Sequence, residues 1–166
     1  MTQLATVPSP ISAPPASLVL PQLERLICWQ PHTRSDPVEL TRALTGAELV
    51  RIDRRMTELH AALEPVGDPR AIERTLIAMM LAIPSSRATG DEPKAVAAAY
   101  VMVLGDLPLW SINDSAMRFA RGEVPKHNAA FAPSAAELRQ EAERVMAPLR
   151  TELTALQRVR DGKVAR

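Results

Sequence analysis

Apolar residues recur at intervals of three and four along most of the chain, with charged residues between them. After Thr45 this period places five apolar side chains on one face of a predicted helix: Leu49, Ile52, Met56, Leu59 and Leu63. Such a stripe is typical of an amphipathic α-helix that packs against a core. The alternation that predicts β-strands is not found in the sequence, which therefore predicts an all-α fold.

Local start signals divide the pattern into a small bundle of about five to six helices. An acidic residue followed by proline satisfies the first turn and presets its φ, and this pair occurs at Asp36-Pro37, Asp68-Pro69 and Glu92-Pro93. A Ser or Thr three residues before Glu predicts a capping box, and this spacing occurs at Thr45 and Ser134. The helix after Pro69 is apolar almost all round in its second half, so it should be the most buried.

The ends of the chain differ from its middle in composition. Residues 1–20 are rich in Pro, Ser and Ala and nearly uncharged, which predicts a disordered tail. We assign residues 21–132 to a helical domain, residues 133–161 to a long C-terminal helix and residues 162–166 to a disordered end. Because proline breaks the helical hydrogen-bond ladder, Pro148 should kink this last helix or split it in two. Its approximate heptad seam predicts a protruding or coiled-coil segment.

Composition and charge limit the classes of function. Of the 166 residues, 46% are hydrophobic but only 3% are aromatic. The net charge is +1, so the chain has no strong overall electrostatic attraction to nucleic acid or to a membrane. The single cysteine, Cys28, excludes an intramolecular disulfide and any cysteine-based zinc site, which fits a reducing cytosol. The longest apolar run is too short to span a bilayer, and no secretory signal is recognisable. We expect a cytoplasmic protein without a membrane partner.

Residue patterns for catalysis are missing from the sequence. The three histidines are far apart, and there is no HExxH, no GxSxG and no glycine-rich phosphate loop. We therefore predict no catalytic residues, no metal ligands and no cofactor, and expect that the protein is not an enzyme. The rings of Trp110, Phe119 and Phe131 lie close in sequence, and Phe131 should staple the next helix onto the preceding one. Alternatively, the rings only seal a helix-loop-helix corner.

The segment over about residues 93–145 contains "YVMVLGDLP", "WSINDSAMRFARG" and "FAPSAAEL" in that order. This order resembles the C-terminal part of small phage-type replicative-helicase loaders and loader-inhibitors that are not ATPases. The matching positions are Tyr100, Leu104, Asp106, Pro108, Ile112, Ala116, Phe131, Pro133, Ser134, Glu137 and Leu138. The resemblance implies a non-enzymatic helical adaptor that binds a hexameric replicative helicase to load or restrain it. It supplies no catalytic residues.

Apolar anchors at helical spacing are the usual contacts of helix-in-groove binding. On this basis the predicted partner-binding residues are Trp110, Phe119, Arg118, Arg121, Leu149, Leu153 and Leu156. Two alternatives remain open at this point. The first is a DNA-binding transcriptional regulator with phosphate contacts at Arg51, Arg54 and Arg55, or at Arg118, Arg121, Lys126 and His127. The second is a structural protein that forms a homo-oligomer through its C-terminal helix.

Overall fold

The structure is a computed structural model that describes residues 13–17, 19–29, 38–65, 67–83 and 92–165. These residues are mostly helical, which confirms the predicted all-α class. The described helices are α1 (Val19–Glu24), α2 (Gly46–Leu63), α3 (Pro69–Ala82), α4 (Glu92–Leu104), α5 (Leu109–Ala120) and α6 (Ala135–Arg160). Three short strands accompany them: β1 (Ile27–Trp29), β2 (Glu39–Leu40) and β3 (Lys163–Val164).

The described residues form two compact units. The sheet unit contains those between 14 and 63 and those from 147 to 165, and the helical unit contains residue 13 and those from 64 to 146. The division therefore falls after residues 63 and 146, and not after residue 132 where the sequence suggested a boundary. Helix α6 contributes its first half to the helical unit and its second half to the sheet unit.

In the sheet unit, β2 pairs antiparallel with β1 and parallel with β3. The helix predicted from Asp36 is wrong for its described part, because β2 occupies it; Asp36 and Pro37 themselves lie outside the described residues. Val38 and Leu40 are buried on either side of the exposed Glu39, which is the two-residue period of a strand. Of the predicted disordered end, residues 163–164 form β3, and the first twelve residues of the predicted tail lie outside the described ranges.

Helix α2 begins at the predicted capping box. The backbone N–H of Thr45 donates to Glu48 Oε2 at 2.8 Å, and the N–H of Glu48 donates to Thr45 Oγ1 at 3.3 Å. Arg42 donates to both oxygens of Glu48 at 2.8 and 2.9 Å, and these bonds, followed by those of Thr45, lower the pKa of the Glu48 carboxyl. The predicted apolar stripe is confirmed at its centre, where the side chains of Ile52 and Leu59 are fully buried.

In the helical unit, α3 packs against α4 and α5. The predicted start of α3 is confirmed, because Asp68 Oδ1 accepts a hydrogen bond from the N–H of Arg70 at 3.0 Å. The start of α6 is confirmed in the same way, since the N–H of Ser134 donates to Glu137 Oε2 at 2.7 Å and the N–H of Glu137 donates to Ser134 Oγ at 3.3 Å.

Residues that carry the resemblance to helicase loaders hold the helical unit together. The Tyr100 hydroxyl donates to the carbonyl oxygen of Pro133, and Arg139 donates to the two carboxylate oxygens of Asp106 at 2.6 and 2.8 Å. Three further positions of the pattern are fully buried: Leu104, Ile112 and Leu138. The pattern therefore encodes the packing of α4, α5 and the start of α6.

Helix α6 runs continuously through Pro148, so proline does not split it. In the sheet unit its apolar side chains are used internally: Leu156 and Val159 belong to the core, and Leu149 and Leu153 pack against that core. The prediction of a protruding or coiled-coil segment is wrong for Leu156 and Val159, because these side chains are buried within the chain.

Candidate protein-binding groove

Helix α3 has two apolar faces, and only one of them is covered. Ala71, Ile72, Leu76 and Met79 are buried in the helical unit. On the other face, Leu81 is 83% exposed and Ile77 is 54% exposed. The prediction that α3 is the most buried helix is therefore wrong. The exposed positions 74, 77, 78, 81 and 82 follow the three-and-four spacing that normally faces a core.

This exposed face borders an open groove between α3 and α5. The groove is a cavity of about 610 Å³. From α3 it is lined by Arg74, Thr75, Ala78, Met79 and Ala82; from α5 by Trp110, Asn113, Asp114, Ala116, Met117 and Ala120; and from the N-terminal segment by Ala13. Alanines on the walls allow a partner backbone to approach closely, and the methionines adapt to irregular shapes.

Polar groups of the groove are few and largely satisfied. The Thr75 hydroxyl is hydrogen-bonded to Asn113 Oδ1, which joins α3 to α5 along the groove. Arg74 lies 3.6 Å from the Asp68 carboxylate, and its charge and that of Asp114 are the two formal charges of the lining. An apolar surface with so few charges favours an apolar ligand over an ionic one.

The predicted aromatic contacts have different positions relative to this groove. Trp110 lines the groove but is only 1% exposed, so it forms the floor. Phe119 is buried away from the groove lining, with its ring edge-on to that of His127 at a centroid distance of 4.7 Å. Phe131 is 59% exposed, so the predicted staple is wrong.

The predicted basic contacts are partly engaged within the fold. Arg118 Nε donates to Glu141 Oε1 at 2.7 Å, and Arg144 also binds this buried carboxylate. The hydrogen bonds of Arg144 and then of Arg118 lower the pKa of Glu141. Arg121 is exposed beside Glu123, at a nitrogen-oxygen distance of 3.8 Å. Neither arginine lines the groove.

The three C-terminal leucines of the predicted partner-binding set differ in burial. Leu156 is fully buried, and Leu149 and Leu153 pack against the core of the sheet unit. A partner can reach Leu156 only by opening that core, so the structure corrects the prediction at this position, whereas Leu149 and Leu153 are partly buried.

One of the three arginines predicted to bind nucleic acid is buried. The side chain of Arg55 is 5% exposed, and its Nε and Nη2 donate to the two oxygens of Glu152 at 2.9 Å each. The structure therefore corrects the prediction for Arg55, whose guanidinium serves the fold. Arg51 and Arg54 are exposed, with hydrogen bonds to Gln22 and Glu58 respectively.

A second cavity, of about 620 Å³, brings together three of the four residues of the other predicted phosphate-binding group: Arg118, Lys126 and His127. Its lining also includes Arg144 and the carboxylates of Glu137 and Glu141, so two negative charges offset two of the three charges of Arg118, Lys126 and Arg144. The His127 Nε2 atom lies 3.0 Å from the Phe131 carbonyl oxygen, a contact that fixes the ring within the loop. This cavity is therefore only weakly cationic.

The sequence did not identify Ile77, Leu81 and Met117 as candidate contacts. The available signal was the apolarity of α3 all round its axis, but the same pattern is found in a helix that is covered on every side.

Among the described residues, no group of three or more His, Cys, Asp or Glu is placed to hold a metal ion. Every described helix falls short of the length and apolarity that a membrane span requires. The chain matches no protein-family model, no curated protein and no solved structure.

Proposed function

We propose that this protein is a non-enzymatic helical adaptor that binds a helix of a partner protein in the groove between α3 and α5. The observation that carries this proposal is the outward stripe of α3, where Leu81 and Ile77 are exposed beside an apolar cavity. Contiguous patches of solvent-exposed apolar side chains are uncommon on soluble monomers and usually indicate an interaction site.

The dimensions of the groove suit a short amphipathic helix. The exposed stripe runs from Arg74 to Ala82, which corresponds to about 12 Å along α3. A partner helix of two to three turns covers this length with anchors at i, i+3, i+4 and i+7. Its apolar side chains would lie between Ala78 and Met117, above the ring of Trp110.

The proposed partner is a replicative helicase, which the adaptor loads onto DNA or restrains. This identity depends on the resemblance over residues 93–145, and α5 belongs both to that segment and to the wall of the groove. The resemblance and the groove therefore meet on one helix, although they are independent observations.

Binding of the cognate replicative helicase to Ala78→Arg tests the proposal. Ala78 is exposed and lines the groove, so an arginine there should fill it with a long charged side chain and leave the fold intact. We expect affinity to fall at least tenfold by isothermal titration calorimetry. The matched control is Ala99→Arg, an exposed helical alanine outside the groove, which should bind like the parent chain. Equal affinities of the two variants, or no binding of the parent chain at micromolar concentration, would overturn the proposal.

The structure weakens the support for the two alternatives, a DNA-binding regulator and a self-associating structural protein. The basic cluster of α2 is reduced by the burial of Arg55, and the seam for self-association is reduced by the burial of Leu156.

A further inference from the structure

The N-terminal segment of the chain reaches the groove. Ala13 is the first described residue, and it lines the cavity together with side chains of α3 and α5. Residues 1–12 lie outside the described residues, but they are covalently joined to Ala13. They are therefore tethered at the edge of the apolar surface.

The chemistry of this segment matches the groove. The sequence "MTQLATVPSPIS" has no charged side chain, and Leu4, Val7 and Ile11 are apolar. Its burial would remove no side-chain charge from water. Pro8 and Pro10 restrict the backbone, so less conformational entropy is lost when such a segment docks into a groove.

We propose that residues 1–12 bind in the groove between α3 and α5 as an intramolecular occupant, which a partner helix must displace. The regulatory part of this inference rests on the proposed function of the groove. Twelve extended residues reach roughly 40 Å, which exceeds the stripe of about 12 Å on α3. Because a short tether gives effective concentrations in the millimolar range, even weak apolar contacts favour the docked state.

Paramagnetic relaxation in the full-length chain tests the occupancy without any partner. A nitroxide is attached at Thr2→Cys, eleven residues from Ala13, in a Cys28→Ser background, and the ¹³C-labelled methyl groups of Met79 and Met117 are observed by NMR. We expect both signals to broaden strongly, and the broadening to weaken in Ala78→Arg, where only the tether at Ala13 keeps the segment near the groove, but to persist in the control Ala99→Arg. Broadening of equal strength in Ala78→Arg and the parent chain, or methyl signals that keep their intensity in the parent chain, would overturn the inference.

A mixing experiment identifies the chain that supplies the segment. Nitroxide-labelled chains without ¹³C are mixed with ¹³C-methyl chains without nitroxide. Sharp signals in the mixture, with broad signals in the doubly labelled chain, support an intramolecular occupant. Broadening of equal strength in the mixture means that a second copy supplies the segment, which overturns the inference.

Displacement is tested with the triple variant L4S/V7S/I11S. If the segment fills the groove nine-tenths of the time, its release should raise the affinity for the partner about tenfold. Unchanged affinity would overturn the regulatory role. If the parent chain and the triple variant both fail to bind the helicase while the methyl signals broaden, the proposed function fails and the intramolecular occupancy stands.

Discussion

Replacing Arg55 with Met removes a buried guanidinium from the sheet unit and keeps a side chain with a long apolar stem. In the folded chain Arg55 Nε and Nη2 donate to Glu152 at 2.9 Å each, and Nη2 also donates to the carbonyl oxygen of Pro15 at 3.1 Å. After the replacement, the Glu152 carboxylate, whose side chain is 18% exposed, and the Pro15 carbonyl lose these donors.

The expected cost follows from this burial. Breaking a buried ion pair by removing one partner destabilises a protein by about 3–5 kcal/mol, because the remaining charge is left uncompensated. Glu152 keeps some contact with water, which reduces this penalty. Hydrogen bonds to charged groups contribute about 1.5–3 kcal/mol and do not add independently. We therefore expect the free energy of unfolding to fall by about 2–4 kcal/mol in Arg55→Met.

The neighbouring arginines are matched controls, because the three belong to one short basic cluster. Arg54 forms an exposed ion pair with Glu58 on the same helix, and Arg51 forms one exposed hydrogen bond to Gln22. Their replacement by Met should change the free energy of unfolding by about 0.5 kcal/mol or less in urea titrations. If Arg55→Met unfolds like these controls and instead weakens binding to duplex DNA, the structural role of Arg55 is refuted.

Three further predictions concern local features. Leu81→Ala should change the free energy of unfolding by less than about 0.5 kcal/mol. Leu76→Ala should lower it by about 2–5 kcal/mol in urea titrations, because the substitution leaves a cavity in the core. Comparable losses for the two variants would contradict the exposure of Leu81. The pKa of Glu48 lies below its ordinary value of 4.5, so this carboxylate stabilises the fold above pH 4.5 and its contribution is lost as the pH falls further. The stability difference between the parent chain and Glu48→Gln should therefore shrink with acidification, and a constant difference would refute the linkage. Lys126 has a φ of 67°, so Lys126→Gly should raise stability by about 0.5–1 kcal/mol, and a lower melting temperature would contradict this.

The beginnings of helices could be predicted because their signals are local. Both capping boxes and the cap at Asp68 form as the spacing of their residues indicates. These signals need only three or four consecutive residues, so distant parts of the chain do not alter them. The all-α class was predicted from these capping signals together with the apolar spacing of three and four residues.

The strands could not be predicted, because their pairing partners are distant in the sequence. Glu39 and Leu40 pair with Lys163 and Val164, and two-residue strands are too short for an alternating pattern to stand out. The local sequence there also favours helix formation, so tertiary pairing overrides it.

The groove could not be predicted for a different reason. Periodicity shows which side chains share a face, but it does not show which face is covered. Leu76 and Leu81 are equally apolar in sequence, yet one lies in the core and the other in water. Arg55 presents the converse case, since a charged residue beside the apolar stripe is indistinguishable in sequence from a solvated one until its partner Glu152 is known.

The parallel pairing of β2 with β3 has a consequence for synthesis on the ribosome. Residues 64–146, which belong to the helical unit, are synthesised between the two parts of the sheet unit. The first part of the sheet unit lacks Leu156, Val159 and β3 until residues 156–164 have been synthesised. A nascent chain that ends before Leu156 therefore has an incomplete core in the sheet unit, and proteases should cleave it there more readily than the folded protein.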